Sequence, residues 1–211
     1  MREIFLILGM ITASFSLKAQ YAGFSSVAEP EKFKVAFSAA TQKTTTIISD
    51  FVQEKNLSML SEKITYKGRF WFKKESKVRM EYDQPFQYLM ILNKDKVYVK
   101  DGQKETKIST NSNKLFHQIN KIMIDCMQGT AFNNTDFKTR VFENINYSLV
   151  ELVPVTKGLK ELFKSINVKV DNKDFSVSSI EMLELSGDNT IIRFINKKLN
   201  TSISDTLFEI K

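Results

Sequence analysis

The run from Gly68 to Pro85, GRFWFKKESKVRMEYDQP, constrains the fold more than any other part of the chain. Phe70 and Phe72 alternate with Arg69, Trp71 and Lys73; after the polar turn Lys74-Glu75-Ser76-Lys77, a second run alternates Val78, Met80 and Tyr82 with Arg79 and Glu81. A period of two on both sides of a turn predicts two antiparallel strands sharing one apolar face. That face is built from long, wide side chains where a tightly packed small barrel would use more Val, Ile and Ala. Such a face can line a cavity as readily as a core.

The N-terminus reads as a secretory signal peptide over residues 1–20. Arg2 is a basic start, Ile4 to Phe15 is an apolar stretch interrupted by Gly9, Thr12 and Ser14, and Leu17-Lys18-Ala19-Gln20 offers a small-residue cleavage site. Lys18 makes the run too short for a membrane-spanning helix, which needs about twenty apolar residues. No cysteine follows the apolar stretch, so the sequence carries no bacterial lipoprotein signal of its own. Residues 21–211 are then expected to form one domain, since no linker, repeat or low-complexity tract divides them. The single cysteine, Cys126, cannot form an internal disulfide, so stability must come from packing. The net charge of +7 comes from lysines scattered along the chain, which suits a solvated exterior; an exported protein has no nucleic-acid partner.

Ser26-x-x-Glu29 has the form of a helix capping box, Pro30 suits a first helical turn, and Phe33, Ala36, Phe37 and Ala40 recur at helical spacing. This predicts a first helix that ends before the β-branched run from Thr44. Strands are expected at Thr45–Glu54, Ser61–Lys73, Lys77–Tyr82, Gln87–Leu92, Lys96–Lys100 and Glu105–Ser109. A second helix follows, with N-cap chemistry at Asn111 to Asn113, a stop at Gly129, and a broad apolar stripe of Leu115, Phe116, Ile119, Ile122, Met123, Cys126 and Met127. Further strands are expected at Phe137–Ile145, Ser148–Pro154, Ile166–Val170, Ser176–Leu185, Asn189–Phe194 and Thr206–Ile210, with a helical turn at Lys157–Phe163. The sum is a mainly β fold, about ten or eleven antiparallel strands in a curved sheet or unclosed barrel with two or three helices across it.

Catalytic patterns are missing. The one histidine, His117, allows a single Ser/His/Asp arrangement, and no G-x-S-x-G elbow holds a serine. Cys126 lies nine residues after His117, which puts the two on opposite faces of one helix and separates them as a dyad. A lone His and a lone Cys do not meet zinc spacing, and neither a D-x-D-x-D-G loop nor a phosphate-binding glycine loop occurs. The chain is expected not to be an enzyme and to need no cofactor or metal.

Taken together, Asp50-Phe51-Val52-Gln53 after an amphipathic helix, G-R-F-W-F-K-K, K-V-R-M-E-Y-x-x-P, Tyr147-Ser-Leu-Val-Glu-Leu-Val-Pro154, Gly187-Asp-Asn-Thr-Ile-Ile-Arg-Phe194 and Leu207-Phe208-Glu209 resemble the motifs of the periplasmic outer-membrane lipoprotein carrier family (LolA-like), in the same order. The resemblance implies an unclosed barrel with helices over its mouth and a cavity that shelters acyl chains. The residues that would line it are Phe70, Phe72, Val78, Met80, Tyr82 and Met90 on the sheet, Phe33 and Phe37 on the first helix, and Phe116, Ile119, Met123 and Met127 on the second. Each of them serves plain core packing equally well. Methionine adapts its shape, which suits a pocket that fills and empties.

The resemblance further implies a periplasmic monomer that takes acylated lipoproteins from an inner-membrane lipoprotein-releasing ABC transporter and passes them to an outer-membrane acceptor. Two features depart from the family pattern. Lys74 followed by Glu75 stands where the family has K-R-P, leaving Lys74 to latch the sheet to the lid, and Asn93-Lys94-Asp95-Lys96 replaces a D-G turn. A carrier of another lipid or glycolipid, and a periplasmic sensor or interaction domain whose interior is simply core, are the alternative readings.

Overall fold

A computed structural model describes residues 21–94, 96–109 and 114–210. The expected signal peptide and the N-cap residues Asn111 to Asn113 lie outside the described residues, as do the side chains of Phe116, His117 and Ile119.

In chain order the elements are β1 (Ser25–Ser26), α1 (Pro30–Lys43), β2 (Thr46–Leu57), β3 (Glu62–Lys73), β4 (Lys77–Gln84), β5 (Tyr88–Asn93), β6 (Lys96–Asp101), β7 (Lys104–Ser109), α2 (Lys114–Gln128), β8 (Phe137–Glu143), β9 (Tyr147–Pro154), α3 (Lys157–Lys160), β10 (Phe163–Asp171), β11 (Val177–Glu184) and β12 (Asn189–Leu199). The twelve strands form one antiparallel sheet in the order β1-β8-β9-β10-β11-β12-β2-β3-β4-β5-β6-β7. A sheet of this width must curl to bury one face on itself. The two ends of the order, β1 and β7, do not pair with each other, so the barrel stays unclosed. α2 lies in the chain between β7, at one edge of the sheet, and β8, next to β1 at the other.

The alternation read from the sequence sets the register of the central hairpin: Phe70 pairs with Met80, Phe72 with Val78 and Gly68 with Tyr82. A shift between Lys67 and Gly68 lets β4 bulge there, and the close crossing requires glycine: a Cβ on Gly68 would sit 1.9 Å from the Glu81 carbonyl oxygen.

The structure corrects several expectations. Pro30 does open α1, but Glu29 takes the cap position with its carboxylate on the Lys32 ammonium at 2.7 Å and without a side-chain bond to the helix backbone, so the capping box is not formed. Ser25 and Ser26 instead pair with Glu143 and Phe142 of β8, giving a short strand that the sequence reading lacked. The expected last strand at Thr206–Ile210 is a 3₁₀ turn, Asp205–Phe208, and β12 runs past Phe194 to Leu199 through a bulge between Ile195 and Lys198.

Two apolar layers result. The larger holds the inner face of the sheet together with α1 and α2; the smaller, centred on Ile91, Ile203 and Phe208, lies on the outer face of β3 to β5 under the C-terminal segment.

Candidate functional site

The inner layer gathers most of the residues expected to line a cavity. Phe37 of α1, Phe70, Phe72, Val78, Met80 and Met90 of the sheet, and Met123 and Met127 of α2 are all buried in one cluster. Phe33 and Tyr82 are half-buried against it. In this state their side chains fill the space between helices and sheet, so the expected cavity is occupied by its own lining.

Aromatic rings cluster on both sides of this layer, among the helical residues and within the sheet. Phe33 stacks on Phe37 with centroids 5.8 Å apart, and Phe37 lies 4.6 Å from Phe132. On the sheet, Phe70 faces Phe194 at 5.0 Å, and Tyr82 stands edge-on to Phe51 at 4.9 Å and to Tyr88 at 5.3 Å. Such offset and edge contacts favour the apolar interior without fixing it by directional bonds.

Phe51, Phe132, Phe175 and Phe194 belong to this layer and are not among the residues expected to line a cavity. Phe51 and Phe194 could have been, since each continues the inward parity of its strand. Phe132 sits in a 3₁₀ turn and Phe175 in a loop with φ +55°, where no periodicity marks them.

Among the described residues, polar contacts are few at the helix–sheet boundary. Lys74, in the β3–β4 turn, donates from Nζ to the carbonyl of Gln42 in the last turn of α1, and its backbone N–H bonds to Thr45 O at 2.9 Å. A cation against the free carbonyls of a helix C-terminus is favourable for both. Among the described residues, the side-chain hydrogen bonds of α2 run within the helix and its end: Lys121 to Asp125 at 2.6 Å and Thr130 Oγ1 to Asp125 Oδ1 at 3.2 Å. α2 closes with the N–H of Thr130 on Asp125 O and that of Gly129 on Cys126 O, the paired bonds of a glycine stop.

The titration behaviour is that of a dry interior. Burial pushes the Tyr82 hydroxyl far up, helped by the neighbouring Tyr88 and Tyr66, and its O–H donates to Gln53 Oε1 at 3.0 Å. Burial, and then Asp125, push the Cys126 thiol up as well, so it stays protonated and is a poor nucleophile. No three His, Cys, Asp or Glu side chains come together as a metal site among the described residues.

Shallow clefts border both helices. One of about 430 Å³ runs along the start of α1 between Phe33, Ala36 and Phe175, and one of about 270 Å³ lies beside α2 at Ile122, Phe137 and Leu159. Both reach toward the apolar layer from its margins.

A half-closed antiparallel sheet whose apolar face is covered by two helices defines the class: a β half-barrel with helices packed over an apolar interior. The chain belongs to the family described as outer membrane lipoprotein carrier protein LolA, whose family model matches residues 42–211. No curated protein matches the chain. Among solved structures, an uncharacterized conserved protein from Thermus thermophilus is similar at TM-score 0.52 and 8% identity, covering 86% of this chain and 94% of that one. The MucA/MucB complex of Pseudomonas aeruginosa is similar at TM-score 0.53 and 8% identity, over 86% of this chain but 61% of that one. A LolA superfamily protein from Nitrosomonas europaea aligns at TM-score 0.47 and 10% identity over 84% and 97% of the two chains. At these identities the two likenesses with TM-scores above 0.5 show the shared fold alone.

Proposed function

We propose that the protein is a periplasmic carrier that shelters the acyl chains of lipoproteins released from the inner membrane and delivers them to an outer-membrane acceptor. The observation that carries this reading is the single apolar layer between the sheet and two helices that are joined to it by packing and by Lys74. An acyl chain of roughly sixteen carbons needs on the order of 10 kcal/mol of shelter to cross water, at about 0.8 kcal/mol per CH₂. Cargo can obtain it by taking the place of α1 and α2 against Phe70, Phe72, Met80 and Met90. One apolar surface then replaces another and the net cost of opening stays small. Met123 and Met127 adapt to either partner. Loading from an ABC transporter and release to an acceptor require only differences in affinity, without a cofactor.

The test is extraction of a fluorescent triacylated lipopeptide from vesicles by the purified protein, with bound material identified by mass spectrometry. Phe33→Glu places a carboxylate at the half-buried margin of the layer, and Met80→Glu places one at its centre. Both are expected to abolish extraction; circular dichroism separates this from unfolding, to which the buried Met80 site is the more exposed. Normal extraction by folded Phe33→Glu would remove the layer from the cargo site. Native material containing a free lipid or glycolipid, and no lipopeptide, would assign the same site to a different cargo.

The filled interior favours one other reading, an interaction domain in which the layer is permanent core. It predicts no extraction by the unaltered protein.

A further inference from the structure

Four consecutive turns along one end of the sheet each hold a large apolar side chain out in solvent. In the sheet order these are the β9–β10, β11–β12, β2–β3 and β4–β5 turns. They expose Val155 at 44%, Leu185 at 51%, Met59 at 90% with Leu60 at 63%, and Phe86 at 70%. The residues are far apart in sequence, and the antiparallel order alone brings them onto one rim. At the opposite end the β3–β4 turn is Lys74-Glu75-Ser76, and the exposed large apolar side chain is Ile145 of the β8–β9 turn.

The rim is held in shape. The backbone N–H of Ser58 donates to Asp188 Oδ1 at 2.8 Å and its hydroxyl to Ser186 O at 3.2 Å, which ties the β2–β3 turn to the β11–β12 turn. Gly187, at φ +93°, lies close under Ser58, where a Cβ would be 3.1 Å from its hydroxyl oxygen. Apolar side chains fixed in water by a polar scaffold are costly unless something covers them.

We propose that this rim docks on the interfacial region of a lipid bilayer and holds there by apolar insertion. Two observations select a bilayer as the occupant. The apolar side chains sit on separate turns with polar residues such as Ser61, Gln87 and Ser186 between them, so a protein partner would need a separate pocket for each. A fluid interface accepts any set of tips that shares one rim. Charge supplies the second: the four turns carry Lys157 and Lys160 against Glu161 and Asp188, a balance that attracts neither anionic nor cationic surfaces. The rim therefore binds neutral lipid as well as anionic lipid. This goes beyond the carrier reading and does not rest on it, since a protein that shelters no acyl chain can still dock.

The experiment is co-sedimentation of the purified protein with phosphatidylcholine vesicles, with and without phosphatidylglycerol, at low and high salt. The proposal expects binding to both, little changed by salt. The double substitution M59S and L60S should lower the partition coefficient by about tenfold, from the apolar area withheld from lipid, while I145S leaves it unchanged. Phe86→Trp should give a fluorescence shift to shorter wavelength on adding vesicles.

Binding that requires phosphatidylglycerol and vanishes in high salt would overturn the proposal in favour of a lysine-driven contact. So would an equal loss with I145S, or no partition of the folded protein. Self-association that disappears in M59S/L60S, seen by sedimentation velocity in the absence of lipid, would assign the rim to a second copy of the chain. None of these outcomes depends on lipopeptide extraction, so docking and carriage fail separately.

Discussion

Gly129 sets α2 against α1 at a point that leaves no room for a side chain. Its φ of +74° ends α2, and a Cβ there would stand 2.3 Å from Thr41 Oγ1 and 3.0 Å from the Phe37 ring. Thr41 cannot easily withdraw, because its hydroxyl donates to the carbonyls of Phe37 at 2.9 Å and Ser38 at 3.0 Å. Gly129→Ala therefore combines left-handed strain with a clash and is expected to cost about 2–4 kcal/mol. Denaturant unfolding checks the value, and Thr41→Ala in the same chain should recover part of it as a coupling energy. The glycine itself was legible as a helix stop, and Phe70, Phe72, Val78 and Met80 were legible from their alternation. The partner across the gap was not: that Thr41 lies under Gly129, or that Phe132 and Phe175 complete the ring cluster, depends on long-range packing with no local period. Lys74 falls between these cases. Its position beside a helix end was expected from the family pattern, and the structure supplies the Gln42 carbonyl that it meets.

The C-terminal segment shows why an element with strand-like sequence need not become a strand. Thr206 to Ile210 has the composition of an edge strand, but β3, β4 and β5, over which it lies, each already pair on both sides. No ladder is open to it. Its backbone is satisfied by side chains instead: Lys73 Nζ donates to Ile203 O at 3.1 Å, Arg79 to Leu207 O at 2.9 Å and Asn93 to Phe208 O at 3.1 Å, while Phe208 is fully buried beneath. Asp205 closes the clasp on Lys77 at 2.7 Å and Lys73 at 3.1 Å. Hydrogen bonds from Lys77 and then Lys73 hold its carboxyl below the usual Asp range. A depressed native pKa adds stability that is fully present above the unfolded-state value, about 4, and is lost as pH falls through the native value. Asp205→Asn should thus lower the melting temperature by a constant amount from neutral pH down to about 4, with the difference shrinking in more acid solution. Differential scanning fluorimetry across that range reads it; a difference that persists unchanged at the lowest pH would mean that the segment is held by Phe208 and the carbonyl contacts alone.

At the scale of the whole molecule, the sheet and α2 are unequal in how they are secured. β2 is bonded along most of its length to β12 on one side and along its full length to β3 on the other, and its Phe51 lies in the apolar layer. Breaking that region means breaking two ladders at once. α2 has no ladder. It lies between β7 at one edge of the sheet and β8 next to the other, ends on a glycine stop, and packs into the apolar layer with Ile122, Met123, Cys126 and Met127, whose contacts are individually weak and lost one at a time. Regions held in this way open at lower free energy than the global unfolding. The amides of Ile122 to Met127 should accordingly exchange well before those of Phe51 to Gln53 and Phe70 to Phe72 in native-state hydrogen exchange. If α2 is the lid of an acyl site, saturating lipopeptide should change the exchange of these amides and leave β2 and β3 as they were, because cargo takes the surface that α2 covers when empty. Protection of α2 equal to that of the central strands, with no response to lipopeptide, would mark the layer as permanent core and the chain as an interaction domain on the carrier fold. Early exchange without a lipopeptide response would keep the lid and discard the cargo, directing the search to other apolar ligands of the same face.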